Sequence, residues 1–347
     1  MSGTSLDGVD IVYVNFILGK EWSFSILASQ TVSYNTYWEK KLSELSNSSN
    51  EIIIKENESY TSYLAEIILQ FIKVNNLFEI DAVCSHGHTL FHQPEKGYTF
   101  QMGNEKKLAE IIGCPVVCDF RVQDVALGGQ GAPLVPVGDL LLFKEYDACL
   151  NLGGFANVSY EENIGFSLPK RIAYDICPVN IVLNYLAEKI GYEFDHNGDF
   201  AQSGNVSNKV LNELNKLSFF NFPPPKSLGL EWVKKYVFPI LGESNISIID
   251  QLCTYTEHIA FQLSKQFNKN SKVLVTGGGA FNLYLLKRIN SFKHLKLLIP
   301  SNTLVEYKEA LIFGFLGVLR LRGENNCLSS VTGAKKDHSS GTIFKIK

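Results

Sequence analysis

Three glycine-rich stretches are the parts of this sequence best suited to contact phosphate groups. The first covers residues 3–10 (Gly-Thr-Ser-Leu-Asp-Gly-Val-Asp), the second is Gly153-Gly154 and the third is Gly277-Gly278-Gly279. Backbone N–H groups bind phosphate oxygens at short range, and glycine lets the main chain come close and turn sharply. Each stretch alone is equally explained as a tight turn. Together they predict a site for a phosphorylated ligand.

The surroundings of these stretches separate them from the best-known nucleotide loops. Gly277–Gly279 lies between an apolar strand and a predicted helix, where a helix N-terminus can meet a nucleotide. No Gly-Lys-Ser/Thr follows it, and the G-x-G-x-x-G spacing is absent, so neither a Walker loop nor a Rossmann fingerprint is present. In the first stretch, Asp7 and Asp10 are candidates to hold the Mg²⁺ that accompanies a triphosphate.

Four further positions could act on a substrate. Asp175 ends a short extended run, where a carboxylate can act as a general base, although a helix-capping aspartate is the commoner role. Arg121 could bind an anionic group with two hydrogen bonds or form a structural pair with an aspartate. His86 and His88 belong to a His-x-His-x3-His cluster with His92, which fits substrate binding or a surface role as well as zinc.

Length, charge and cysteine content narrow the class of protein. A chain of 347 residues is expected to form two domains. Its net charge of −3 argues against a nucleic-acid surface, and no apolar run reaches the roughly 18 residues that suggest a membrane span. Seven cysteines without a Cys-x-x-Cys pair, and an N-terminus unlike a signal peptide, predict the reducing cytoplasm. A homodimer is expected only because it is the commonest assembly.

Hydrophobic patterns predict the elements that position these residues. Apolar side chains at helical spacing run from Tyr60 to Ile72, and a second helix is expected to open at Pro178 and end before Gly191. A third is marked by Leu252 to Phe267, with Ser247 and Asp250 placed for an N-terminal cap. The first two glycine stretches are typical of hairpins and the third of a strand–turn–helix unit. Strands mixed with such helices indicate an α/β protein.

Taken together, the motifs resemble the anhydro-N-acetylmuramic acid kinase family, within the superfamily of acetate and sugar kinases, heat-shock ATPases and actin. The resemblance runs nearly end to end. It rests on residues 1–10, Ser-His-Gly-His-Thr at 85–89, Asp-Phe-Arg at 119–121, residues 128–136, Asn-Leu-Gly-Gly at 151–154, residues 277–279 and Ser-Val-Thr-Gly-Ala at 330–334.

The resemblance implies a two-lobed actin-like ATPase (ribonuclease H-like) fold, with a cleft between duplicated mixed-sheet domains at residues 1–140 and 141–347 and the last helix packing back on the first lobe. It implies a cytoplasmic enzyme that uses ATP and Mg²⁺ to open and phosphorylate the anhydro sugar for cell-wall recycling, without nucleic-acid or membrane partners. Asp175 would activate the water, and Asp7 would bind the metal ion. The nucleotide would contact Gly3, Thr4, Ser5, Leu6, Asp7, Gly8, Val9, Asp10, Gly153, Gly154, Gly277, Gly278 and Gly279. The sugar would contact His86, Arg121, Asp124 and Gln130, and Glu309 on the last long helix would lie nearby.

Three departures from the family pattern bear on this expectation. Family members carry apolar residues before the Met-Ser-Gly-Thr-Ser motif that form a first central strand, so this strand is expected to be missing or the start misassigned. After Asp175 the family continues Thr-Gly-Pro, whereas this chain has Ile176-Cys177-Pro178. His88 stands where glutamine is common, which keeps a hydrogen-bond donor.

Two other functions remain open from the sequence. A kinase acting on another sugar would share the phosphate-binding stretches, so only sugar-side residues and a substrate panel distinguish it. A nucleotide- or sugar-binding relative without catalysis would give no ADP that depends on the anhydro sugar. A zinc hydrolase built on His86, His88 and His92 is a more distant alternative.

Overall fold

The chain divides into two compact units. The computed structural model describes residues 1–2, 6–162 and 170–346. Unit 1 combines Met1–Leu142 with Tyr307–Lys347, and unit 2 is Phe143–Glu306. The boundary at residue 142 falls close to the expected one at residue 140. The C-terminal part differs from the 141–347 assignment, because all of it from Tyr307 onward, and not the last helix alone, belongs to unit 1.

Strands and helices are interspersed along the chain. The strands are β1 (Gly8–Leu18), β2 (Trp22–Ser33), β3 (Val83–Cys84), β4 (His88–Gln93), β5 (Tyr98–Met102), β6 (Val116–Cys118), β7 (Ala148–Leu152), β8 (Phe155–Glu162), β9 (Lys170–Pro178), β10 (Lys272–Thr276), β11 (Lys296–Leu298) and β12 (Thr342–Phe344). The α-helices are α1 (Thr36–Glu44), α2 (Asn50–Val74), α3 (Lys106–Ile112), α4 (Val122–Ala126), α5 (Val135–Leu142), α6 (Asn180–Glu188), α7 (Asp199–Ser203), α8 (Asn208–Asn215), α9 (Leu230–Trp232), α10 (Phe238–Gly242), α11 (Ile248–Ser264), α12 (Leu283–Phe292), α13 (Asn302–Leu321) and α14 (Ser329–Thr332). Helices and mixed sheets confirm the α/β class.

Unit 2 is built on a five-stranded mixed sheet in the order β11-β10-β7-β8-β9. β10 runs parallel to both β11 and β7, whereas β7, β8 and β9 form an antiparallel meander. Leu150 and Leu152 of β7 and Val275 of β10 are fully buried in its core. α11 is buried around nearly its whole circumference, as expected for a helix at the centre of a unit. α11 and the sheet therefore contribute to the same hydrophobic core.

The predicted helices and turns are present in unit 2, with one correction. The second glycine stretch joins β7 to β8 as a hairpin, and the third leads from β10 through a short 3-10 turn into α12. Ser247 caps α11, its Oγ accepting the backbone N–H of Asp250 at 3.0 Å. Pro178 does not open α6, because it is the last residue of β9 and pairs with Phe155 of β8, and the helix begins at Asn180.

Unit 1 contains three sheets that are smaller than the sheet of unit 2, and one of them includes the C-terminal strand. β1 and β2 form an antiparallel pair, β4 and β5 form another, and the third sheet has the order β12-β6-β3. The C-terminal strand β12 pairs with β6, which explains why this segment belongs to unit 1. α13 also contacts this sheet closely, since a Cβ at Gly317 would lie 2.1 Å from the Cys84 sulfur.

A cavity of about 830 Å³ lies beside β1 in unit 1. Residues 9–16, Val83, Cys84 and Phe313 are among those that line it. Met1 and Asp10 exchange two backbone hydrogen bonds of 2.7 and 2.8 Å, and Ser2 bridges to Val9 antiparallel and to His88 parallel. Residues attached ahead of Met1 would therefore extend antiparallel to β1 into this cavity.

We expect an added strand to stabilise unit 1. An extension of β-branched apolar residues ahead of Met1, long enough to pair with residues 11–16, should raise the thermal unfolding midpoint by several degrees, because each buried side chain contributes about 1.5–3 kcal/mol. A glycine–serine extension of equal length is the control, and scanning calorimetry is the measurement. Equal midpoints for the two extensions would show that the cavity does not accept a strand.

Candidate active site

The second and third glycine stretches lie side by side in unit 2. The parallel register pairs Asn151 of β7 with Thr276 of β10, so both strands end at the same level. A Cβ at Gly277 would lie 2.6 Å from Asn151 Oδ1 and 2.8 Å from the Leu152 carbonyl carbon. Gly277 also has φ 80° and ψ 162°, a conformation that is essentially restricted to glycine. Glycine is therefore required here for close approach and for backbone shape.

The start of α6 fixes the shape of the Gly153-Gly154 turn. Val179 donates its backbone N–H to the Gly154 carbonyl at 2.8 Å, and Asn180 donates its own to the Gly153 carbonyl at 3.2 Å. The Asn180 side chain donates from Nδ2 to the Leu152 carbonyl at 3.0 Å. The two glycine turns and the first turn of α6 thus form one connected main-chain surface.

A row of polar residues crosses the sheet from these turns to Asp175. Thr276 pairs with Asn151, Asn151 with Asn157 on β8, and Asn157 with Asp175 on β9. Directly paired residues project from the same face of a sheet. With strands about 4.8 Å apart, Asp175 lies about 10 Å from Asn151. Sequence reasoning missed the two asparagines and Thr276, although a polar residue inside the apolar run of β7 is a signal for one of them.

Asp175 is held by a β-bulge and by the loop at residues 226–228. Ala156 pairs with Cys177 and Asn157 with Asp175, so Ile176 is the extra residue of the bulge. The side chains of Ile176 and Cys177 are buried, which accommodates the departure from the family pattern inside the core. Asp175 Oδ2 accepts the Leu228 backbone N–H at 2.8 Å. Burial raises the pKa of this half-buried carboxyl, and the hydrogen bond from Leu228 opposes the shift.

Unit 1 contains a second cavity, of about 360 Å³. It includes two of the four residues predicted to line the sugar site, together with Glu309. The lining residues are Met1, Ser2, His86, Thr89, His92, Arg121, Ala132 and Glu309. Thr89 and Ala132 were missed as individual residues by the sequence analysis. The cavity contains hydroxyl, imidazole, guanidinium and carboxylate groups, a set suited to orienting a polar ligand.

Arg121 organises one wall of this cavity. Its Nε donates to His86 Nε2 at 3.0 Å, and its Nη1 donates to the Gly131 carbonyl at 2.7 Å. His86 Nδ1 lies 2.8 Å from the Gly87 carbonyl, so the imidazole is neutral with its proton on Nδ1. Burial and the Arg121 charge lower the pKa of His86 well below its usual value. The ring of Phe313 contacts both, with its centroid 4.6 Å from His86 and 5.7 Å from the guanidinium carbon.

Glu309 enters the cavity from α13, one turn before Phe313. Surrounding protein raises the pKa of its carboxyl, and the positive charge of Arg121 opposes this shift. Its neighbour Lys308 forms a buried ion pair with Asp139 of α5 at 2.7 Å. That ion pair fixes the helix that carries Glu309, and Glu309 lines this cavity.

The other two residues predicted to contact the sugar, Asp124 and Gln130, do not line this cavity. Asp124 is completely buried, and its carboxylate accepts the Gly131 backbone N–H and the Thr332 hydroxyl, both at 2.7 Å. Gln130 has an exposed side chain and donates its backbone N–H to the Thr332 carbonyl. Asp124 thus shapes the loop of the cavity wall, and neither residue lines the cavity itself.

The three clustered histidines do not point at a common centre. His88 is buried and its Nδ1 lies 2.9 Å from Ser2 Oγ, while His92 Nδ1 lies 3.1 Å from Thr99 Oγ1. Burial lowers the pKa of His88 to about 4. Within residues 1–2, 6–162 and 170–346, these histidines form no group with the ligand spacing of a metal ion. This arrangement does not favour a zinc hydrolase.

The first glycine stretch is described only in part. Gly3, Thr4 and Ser5 lie outside the described residues. Leu6 has φ 60°, Asp7 is exposed, and Gly8 and Val9 are buried at the start of β1. Asp10 is half-buried, and its Oδ1 accepts the Thr31 hydroxyl at 2.6 Å. Of the two aspartates, Asp7 is the more accessible to a metal ion.

In the described part of the chain, no helix has both the length and the apolar character needed to cross a membrane.

Paired glycine turns leading to a half-buried carboxylate, on an α/β framework, are features of a phosphotransferase. The chain belongs to the anhydro-N-acetylmuramic acid kinase family, whose model matches residues 1–346. It is 33% identical over 377 residues to the anhydro-N-acetylmuramic acid kinase of Caldanaerobacter subterraneus subsp. tengcongensis, covering 99% of this chain and 95% of that protein. It is also 33% identical over 370 residues to the Xylella fastidiosa enzyme of the same name, with coverages of 99% and 94%.

Alanine substitutions at two adjacent glycines should show whether the backbone conformation of one of them requires glycine, or whether any substitution in this turn lowers stability. Gly277→Ala should lower the free energy of unfolding by about 1–3 kcal/mol, because alanine is strained at this φ and meets Asn151 and Leu152. Gly278→Ala is the matched control, since its Cβ would find only Asn180 Nδ2 at 3.7 Å. Urea unfolding measures both. Equal losses of stability would contradict the assigned geometry of the turn.

Proposed function

We propose that the chain is an ATP-dependent kinase that acts on 1,6-anhydro-N-acetylmuramic acid in cell-wall recycling. Water attacks C1 of the sugar and loses a proton to Asp175. The bond between C1 and the bridging 6-oxygen breaks, and that oxygen takes the γ-phosphoryl group of ATP. The products are N-acetylmuramic acid 6-phosphate and ADP. The observation that carries this proposal is the match to the kinase family over residues 1–346.

The nucleotide side of the proposal rests on main-chain groups. Gly153-Gly154 and Gly277–Gly279 give a compact glycine surface beside the start of α6, and such surfaces suit phosphate oxygens. Gly3 to Asp10 are proposed as the first phosphate-binding stretch. Phosphoryl transfer depends mainly on positioning and charge stabilisation, so a protein with few reactive side chains at the phosphates is chemically adequate.

The sugar side of the proposal rests on the Arg121 cavity. The substrate carries a carboxylate, and Arg121 uses Nε and Nη1 within the protein while its Nη2 has no acceptor among the described residues. The guanidinium is therefore the proposed partner of that carboxylate. His86, held neutral, and Glu309 are proposed to orient the hydroxyl and amide groups. Asp124 and Gln130 then act through the loop that they support.

Magnesium is proposed to accompany ATP. Asp7 supplies an exposed carboxylate within the first stretch, and hard oxygen ligands of this kind, usually with several waters, suit Mg²⁺. Bound there, the ion would neutralise charge on the transferred phosphate. All seven cysteines are free thiols, which supports the proposed cytoplasmic location. A homodimer stays a prediction.

A coupled assay tests the activity. Purified protein with ATP, Mg²⁺ and the anhydro sugar should produce ADP in proportion to the sugar phosphate formed, and omission of the sugar should abolish it. A panel of other sugars tests specificity. Absence of sugar-dependent ADP would identify a non-catalytic relative, whereas activity only on another sugar would identify a kinase with a different substrate.

Asp175→Asn should remove the general base while preserving shape. We expect turnover to fall by about 10²–10⁴-fold, with nucleotide affinity unchanged, because an amide cannot accept the proton of water. Asp199→Asn, at an exposed carboxylate in the first turn of α7, is the control and should keep its turnover. Turnover assays and calorimetric titration with ATP give the two readouts. A fully active Asp175→Asn protein would remove Asp175 from this role.

The pH profile gives an independent test of Asp175. Burial raises the pKa of its carboxyl, and only the ionised form can act as a base. Turnover should therefore fall as pH decreases through that raised pKa, with the acid limb above the ordinary aspartate value of about 4. Steady-state rates across an acid series measure it. A rate that remains constant down to the ordinary aspartate pKa would be the opposing result.

A further inference from the structure

Three buried side chains of different chemistry converge in unit 1, beside the cavity rather than in it. They are Asp124 of α4, Cys327 and His338, which are 0%, 1% and 4% exposed. One ligand atom from each lies within 4.8 Å of the other two. The cavity residues described above do not include any of them.

The backbone directs Cys327 and His338 to the same side. These residues form an antiparallel bridge. The Cys327 backbone N–H donates to the His338 carbonyl at 3.1 Å, and the His338 backbone N–H donates to the Cys327 carbonyl at 3.2 Å. Residues paired in this way project from one face with their Cβ atoms about 4.5–5.5 Å apart. A thiol and an imidazole are therefore presented together.

The histidine has the tautomer that a metal ligand needs. His338 Nδ1 lies 3.0 Å from the Lys336 carbonyl, so Nδ1 carries the proton and Nε2 carries the lone pair. Nε2 is buried and has no hydrogen-bond partner in the described part of the chain. Metal-bound histidines typically donate their other ring N–H to a carbonyl or carboxylate in the same manner.

The distance to Asp124 is too long for a hydrogen bond and suitable for a shared ion. His338 Nε2 lies 3.6 Å from Asp124 Oδ1, whereas charge-assisted pairs close to about 2.7–2.9 Å. Two ligands of a tetrahedral zinc ion, at about 2.0–2.1 Å from the metal, lie about 3.4 Å apart. The separation is therefore close to that of a ligand pair around one ion.

We propose that Asp124, Cys327 and His338 form a zinc-binding site. The combination of thiolate, imidazole and carboxylate selects Zn²⁺ over Mg²⁺, which prefers oxygen ligands alone. Three protein ligands leave one tetrahedral position for water. Binding releases the thiol proton, so the site neutralises the metal with two anionic ligands.

A zinc ion at this position would link separate segments of unit 1. Asp124 Oδ2 accepts the Gly131 N–H, and the Gly131 carbonyl accepts Arg121 Nη1. The ion would join the segment containing Cys327 and His338 to α4 and to this loop. It would thereby hold the wall that carries Arg121, without contacting the sugar itself.

Metal analysis of the full-length protein tests the site. Protein stripped with a chelator and then supplied with Zn²⁺ should retain one ion per chain after gel filtration, and its thermal midpoint should rise. With Co²⁺ instead, the spectrum should show tetrahedral bands and a thiolate-to-metal charge-transfer band. Wild-type protein that is folded by circular dichroism and shows neither retention nor this band would overturn the proposal.

Two pairs of variants locate the ion. Cys327→Ser should lose the charge-transfer band and His338→Gln should lose zinc retention, while Cys253→Ser, at a buried cysteine of unit 2, and His294→Gln, at an exposed histidine, should behave as wild type. Retention and bands unchanged in both site variants would place the metal elsewhere. None of these readouts depends on kinase activity, so the zinc site can fail while the proposed reaction stands.

Discussion

The parallel pairing of β7 with β10 is the constraint on which the site in unit 2 depends. The last pair of this register is Asn151 with Thr276, so that two glycine turns from distant parts of the sequence come into contact. The same lateral row continues through Asn157 to Asp175. A one-residue slip would turn every side chain in this row to the other face of the sheet. Strand register thus determines which face carries the chemistry.

In unit 1 the comparable role falls to Arg121. Its guanidinium fixes the His86 tautomer through Nε and the Gly131 carbonyl through Nη1, and the ring of Phe313 packs against both side chains. The Asp124 carboxylate supports the same loop from inside the protein. An exposed arginine would make weaker and less directional contacts, so the organisation of this wall comes from burial as much as from charge.

Local patterns allowed much of the fold to be predicted. The glycine turns, the capped helix α11 and the α/β class follow from residues that are close in sequence. The polar row did not, because Asn151, Asn157 and Asp175 meet only through strand pairing and a bulge at Ile176. The burial of individual side chains could not be foreseen either. Asp124 was predicted to contact the sugar, and hydrogen bonds hold its carboxylate inside the protein. Glu309 lines the cavity from a helix far along the chain.

In the proposed reaction, a water held by Asp175 opens the sugar while the bridging oxygen is phosphorylated. The most direct test is to run the reaction in water labelled with oxygen-18, separate the products and locate the label in each by mass spectrometry. We expect the label at C1 of the sugar phosphate and none in its phosphate group, beyond the exchange seen when finished product is incubated in the same water. Label in phosphate released from ATP, with none in the sugar, would show ATP hydrolysis and contradict the account.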